Sequence, residues 1–143
     1  MIAVGETLLD LETSYFTVET ELSRLLSHTT ARTQPIDRAE YIFYPNVTEN
    51  DLEILATANL GSMLYPDQAA TLILGGTLGN GTTLQLSGPG IQGSNTVQVG
   101  NIPAGFWTLR QKVQRYPLGW DIFVLDGDRV IGLPRSTRID SER

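Results

Sequence analysis

The chain has 143 residues and a mass of 15.7 kDa, with 41% apolar and 18% charged side chains, enough for one domain with its own core and no need of a disulfide or metal staple. Acids outnumber bases 16 to 10, a net charge of −6, which argues against nucleic acid and anionic membrane surfaces as partners. There is no cysteine and only one histidine, His28, so thiolate chemistry and zinc ribbons are excluded, and any histidine-based triad or His-rich metal site would rest on that single side chain.

In chain order, residues 7–11 form a short apolar run that reads as a strand. Val18, Leu22, Leu25 and Leu26 recur at helical spacing, so residues 17–28 read as an amphipathic helix with Glu19 and Glu21 near its start. Residues 32–37 read as loop and residues 41–44 as an aromatic, β-branched strand ending at Pro45. Thr48 with Asp51 three positions later is a capping-box-like start, leading into a helix through Leu52, Ile54, Leu55 and Ala58 that stops at Gly61. Residues 71–74 and 82–87 read as strands joined in a hairpin through Asn80-Gly81, and residues 96–99 as another strand.

Asn101 and Pro103 then start a helix whose stripe is Ile102, Phe106, Leu109 and Val113, with Arg110, Gln111, Lys112 and Gln114 on the solvated side. Residues 121–125 and 129–133 flank Asp126-Gly127-Asp128 as a second hairpin. The unbroken apolar run from Ile122 to Leu125 predicts a strand buried on both faces. Interleaved strands and helices make the class α/β or mixed α+β, in one domain. Charge is unevenly placed: residues 1–70 carry 11 acids and 3 arginines, whereas the 39 residues 71–109 have no charged side chain and hold nine of the fourteen glycines. Such a stretch supplies the central sheet, or is partly covered by a partner, or both.

Several motifs read as structure rather than chemistry. Gly88-Pro-Gly90-Ile-Gln-Gly93 matches G-x-G-x-x-G, but a polar, β-branched segment follows where a dinucleotide site needs a helix, so it reads as a turn. Residues 76–83 imitate a phosphate loop with Thr82 in place of the lysine that would meet the phosphates, and read as a hairpin. His28 suits a helix C-terminus. Lys112, the one lysine and hence the only side-chain amine, sits between Arg110 and Arg115 and reads as a surface charge. The glycosylation-type triplets at Asn46 and Asn80 carry no weight without a secretory signal. At the C-terminal end, the hairpin brings Asp121 and Arg135 to one open end, where they can pair. With Ser136, Thr137 and Arg138, they supply guanidiniums and hydroxyls suited to an anionic ligand. The structural alternative is an ion pair that anchors the hairpin or a subunit contact, and it is favoured on chemistry alone.

Four segments in this order, residues 69–74 (containing Ala-Thr-Leu-Ile-Leu), 84–91 (Leu-Ser-Gly-Pro-Gly-Ile), 116–121 (Tyr-Pro-Leu-Gly-x-Asp) and 129–138 (Leu-Pro-Arg-Ser-Thr-Arg), resemble the PhnH family, whose members are subunits of the carbon–phosphorus lyase core complex. The motif positions are Gly88, Gly90, Pro117, Gly119, Asp121, Pro134, Arg135 and Thr137. The resemblance implies a three-layer α/β sandwich similar to the pyridoxal-phosphate-dependent transferases but without that cofactor, and no catalytic residue can be carried over from it. It implies a homodimer and attachment to the G, I and J subunits, with no nucleic acid and no membrane among the partners. That assembly takes part in making ribose 1-methylphosphonate 5-triphosphate from ATP and methylphosphonate. Family members carry a further N-terminal segment, so the chain is expected to be a shortened, cytoplasmic form with one domain over residues 1–143. The competing expectation is a stand-alone phosphate- or phosphonate-binding protein or enzyme using Asp121, Arg135, Ser136 and Arg138.

Overall fold

A computed structural model describes residues 1–142. Its frame is a six-stranded sheet in the order β2-β1-β3-β4-β7-β8, built from β1 (Ser14–Thr17), β2 (Arg32–Thr33), β3 (Tyr41–Tyr44), β4 (Thr71–Gly75), β7 (Asp121–Asp126) and β8 (Arg129–Leu133). Every pairing is parallel except the β7–β8 hairpin. A second, antiparallel sheet runs β6-β5-β9, from β5 (Thr77–Ser87), β6 (Asn95–Gly100) and β9 (Arg138–Glu142). The helices are α1 (Ile2–Leu8), α2 (Thr20–Leu26), the one-turn α3 (Leu52–Leu55) and α4 (Ala104–Val113).

Strand alternation splits the core in two. Ile42, Tyr44, Leu72, Leu74, Ile122 and Val124 point to one side, where they meet Leu84, Leu86, Val99 and Ile139 of the second sheet and Phe106 and Trp107 of α4. Tyr15, Phe43 and Ile73 point to the other side, against Leu22 and Leu26 of α2 and Leu9 after α1. Strands covered on both faces read as near-continuous apolar runs, which is why β3 and β4 are recognisable in the sequence. The class is therefore mixed α/β, with the parallel strands at its centre.

Several local readings change, and the segment 32–37, read as loop, opens with the two-residue strand β2. Residues 7–11 are not a strand: α1 ends at Leu8, and its buried Gly5 lies so close to the Leu26 side chain that a Cβ would overlap it. Residues 17–28 divide into the end of β1, α2 and a 3-10 turn over Ser27–Thr29. Asn80-Gly81 is a bulge, not a hairpin. Leu78 and Thr82 both face Val99, so residues 79–81 loop out of β5 while Gly75-Gly76 carries the chain from one sheet to the other. Finally, β7 is not buried on both faces. Phe123 is 36% exposed and Val130, opposite Leu125 on β8, is 60% exposed, because the cluster beneath α1 and α2 reaches only as far as Leu125. The capping box is present, with Thr48 N–H and Oγ1–H both donating to Asp51, but it starts a 3-10 turn that runs into only one turn of α3.

Candidate functional site

Because β4 and β7 are parallel and β8 returns, the start of β7 and the end of β8 lie at the same end of the large sheet. Asp121 opens β7 and Arg135 follows β8, and the expected pair forms. Arg135 Nη2 donates to Asp121 Oδ2 at 2.7 Å, Nε to Oδ1 at 3.3 Å, and the Arg135 backbone N–H to Oδ1 at 2.8 Å. Arg135 Nη1 donates to the Pro66 carbonyl, so each guanidinium nitrogen of this side chain has an internal acceptor. Partial burial pushes the Asp121 carboxyl up. The hydrogen bonds and charge of Arg135, with Arg110 behind it, outweigh that effect and hold it below the ordinary carboxylate value.

The arginine that the sequence reading places in solvent is deeply buried. Arg110 is 1% exposed. It lies four positions after Phe106 and three after Trp107, both fully buried, so α4 carries it inward on the same face. Its Nη2 donates to the carbonyls of Pro134 and Thr137, each at 3.1 Å. Two neighbours act alike: Gln111 Nε2 on α4 donates to Ile139 O at 2.7 Å, and Gln114 Nε2, just past the end of α4, donates to Arg135 O. Together these side chains fasten α4 to the 134–139 segment, where the Thr137 N–H also closes a turn on Pro134 O at 2.9 Å. Burial drives the Arg110 pKa down to about 10, against the opposing pull of Asp121.

Between α4, the turn after β5 and the 135–140 segment lies an open-sided cleft of about 950 Å³. Ser136, Thr137 and Arg138 line it beside Arg110 and Arg135. Arg138 is exposed and forms no ion pair among the described residues. Gly88 fixes the opposite wall. Its φ is +128°, and a Cβ there would stand 2.9 Å from the Ser136 carbonyl oxygen, so only glycine lets the turn approach this closely. Gly90 also has a positive φ, +83°, but faces open space. Gly119 (φ +134°) packs against the Gln114 amide, after a cis peptide at Tyr116–Pro117. The G-x-G-x-x-G segment is a turn between β5 and β6, as its context predicts. Exposed Lys112 lies on α4, and exposed His28 in the turn after α2.

The family described as "Bacterial phosphonate metabolism protein (PhnH)" matches residues 1–140. The chain belongs to the PhnH family. A relative named "Putative C-P lyase subunit protein HtxG", from Stutzerimonas stutzeri, is 34% identical over 111 residues, covering 76% of this chain and 55% of the relative. The chain thus spans about half the length of the curated relative it matches. Three of the four segments that carry the PhnH resemblance supply residues to the cleft: Ser87, Gly88 and Pro89 from the first of them, Tyr116 from the second, and Arg135 to Arg138 from the third. No helix among the described residues is long and apolar enough to cross a membrane.

Proposed function

We propose that this protein is an auxiliary subunit of the carbon–phosphorus lyase core complex, acting through contacts with the G, I and J subunits. In this role it takes part in forming ribose 1-methylphosphonate 5-triphosphate from ATP and methylphosphonate. The observation that carries the reading is the PhnH match across residues 1–140, alongside a relative named as a putative C–P lyase subunit. Exposed apolar side chains support a role built on protein contacts. Met63, Leu64 and Tyr65 stand together in one loop at 71, 84 and 56% exposure, and Phe123 and Val130 are open on the sheet.

The proposal includes a cytoplasmic homodimer and a likeness to the pyridoxal-phosphate-dependent transferases without their cofactor. Support for self-association comes from β5 and β6, whose exposed positions, such as Asn80, Gln85, Asn95 and Thr96, are polar without charge. The test is co-elution with the G, I and J subunits after co-expression.

A further inference from the structure

We propose that the cleft between α4, the β5–β6 turn and the 135–140 segment binds a phosphate or phosphonate group, with Arg110 as its buried anchor and Arg138 at its rim. The assembly role and this site can fail independently.

The starting point is an unbalanced charge. A guanidinium removed from water ordinarily meets a carboxylate or another anion, because neutral acceptors alone leave most of its solvation loss uncompensated. Arg110 is only 1% exposed, yet it forms no salt bridge among the described residues. Its acceptors are two neutral carbonyls, both reached through Nη2. Nε is buried without a partner, and Nη1 has no acceptor among the described residues. The opposite charge that acts on it is Asp121, and Arg135 already occupies both of that carboxylate's oxygens. The fold thus holds a cation without a counter-ion in the wall of the cleft, where an anion entering the cleft would meet its charge.

The cleft supplies the remaining features of such a site. Exposed Arg138 also lines the cleft, its guanidinium without a partner among the described residues, and Ser136 adds a hydroxyl. One carboxylate, exposed Asp140, also lines the cleft; with Arg135 neutralised by Asp121, Arg110 and Arg138 stand there against that single acid. Gln114, one turn beyond Arg110, lines the cleft and has a buried Oε1 with no donor among the described residues. A protonated oxygen on a phosphoryl or phosphonyl monoanion, or a hydroxyl of its ester, would satisfy that acceptor while the charged oxygens meet the guanidiniums. A carboxylate has no third oxygen to do both. Forked guanidinium donors suit multi-oxygen anions. Because the residues come from the C-terminal half of α4, the negative end of its dipole, the attraction depends on the arginines and not on helix amides. At about 950 Å³ the cleft has room for a ligand larger than the anionic group itself.

The test is isothermal titration of the full chain with methylphosphonate, inorganic phosphate, ATP and acetate at low and moderate salt. The expected result is binding of at least one of the first three, weakened by salt, with acetate far weaker. Tighter binding of ATP would identify a nucleotide as the source of the group, and tighter binding of methylphosphonate a phosphonate. Arg138→Ala, at an exposed position with no ion-pair partner among the described residues, should weaken binding about tenfold, the loss of one charge-assisted contact. Arg138→Glu should weaken it further, and Lys112→Ala, a charge on α4 outside the cleft, should leave it unchanged. Arg110→Met should abolish binding. If that variant does not fold, Arg138→Glu decides. No heat with any phosphorus anion at millimolar concentration, equal binding of acetate, or unchanged affinity in Arg138→Glu would each overturn the assignment. Arg138→Ala should still co-elute with the partner subunits, so loss of the anion site and loss of assembly read out separately.

Discussion

Replacing Asp121 with asparagine removes one charge and two acceptor lone-pair sites while keeping the side chain's shape. The carbonyl oxygen of the new amide can still accept from the Arg135 backbone N–H, but its NH2 group would present a donor to Arg135 Nη2, where the carboxylate now accepts at 2.7 Å. A hydrogen bond to a charged group contributes roughly 1.5–3 kcal/mol. The two side chains here are 18% and 33% exposed, so solvent screening reduces that range and the expected loss is about 2 kcal/mol. With an unfolding entropy of roughly 2.1 cal/mol/K per residue, this is a Tm decrease of about 7 °C for a chain of this length.

The pH dependence gives a sharper criterion. The folded pKa of Asp121 is depressed, so around pH 4 the unfolded chain takes up a proton that the folded chain refuses. The stabilisation is complete above the unfolded pKa of roughly 3.9 and is lost as pH falls through the lower folded value. Denaturant melts of both proteins between pH 7 and pH 3 should show curves that are well separated at neutral pH and converge in acid. A difference below about 0.5 kcal/mol at pH 7, or one that does not narrow in acid, would refute a stabilising Asp121–Arg135 pair.

Gly88→Ala should destabilise the fold by about 2 kcal/mol, since it combines a φ of +128° with a Cβ 2.9 Å from a backbone oxygen. Gly90→Ala, strained but in open space, should cost about half as much, and equal thermal melts for the two would contradict the close approach of the turn to Ser136. Leu72→Ala, in the fully buried centre of β4, should cost about 3 kcal/mol in chemical denaturation, whereas Val130→Ala on exposed β8 should cost under about 0.5 kcal/mol. Similar losses at the two positions would mean that the sheet's buried and open faces are misassigned.

Those contrasts separate what local sequence encodes from what packing decides. β3, β4, β6 and the β7–β8 hairpin are legible because their apolar runs and turn residues act within a few positions. Thr48 and Asp51 likewise carry their capping signal in the chain itself. Asn80-Gly81 misleads because the same positive-φ chemistry serves a hairpin and a bulge, and the sheet change at Gly75-Gly76 is a tertiary event. Residues 7–11 mislead because Leu8, Leu9 and Leu11 form an apolar run too short to distinguish helix from strand. In the site, Asp121 and Arg135 are readable from hairpin geometry. Arg110 is not, because its charge argues for solvent while its spacing argues for the core. Positions i+4 from Phe106 and i+3 from Trp107 are a buried-face signal, which Gln114 extends by one more turn.

Assembly is tested most directly by co-expressing this chain, tagged, with the G, I and J subunits and measuring the composition and mass of the purified species by gel filtration with light scattering. The account expects all four chains in one peak. Elution of this chain free of the other three would contradict its role as a working subunit of the carbon–phosphorus lyase complex.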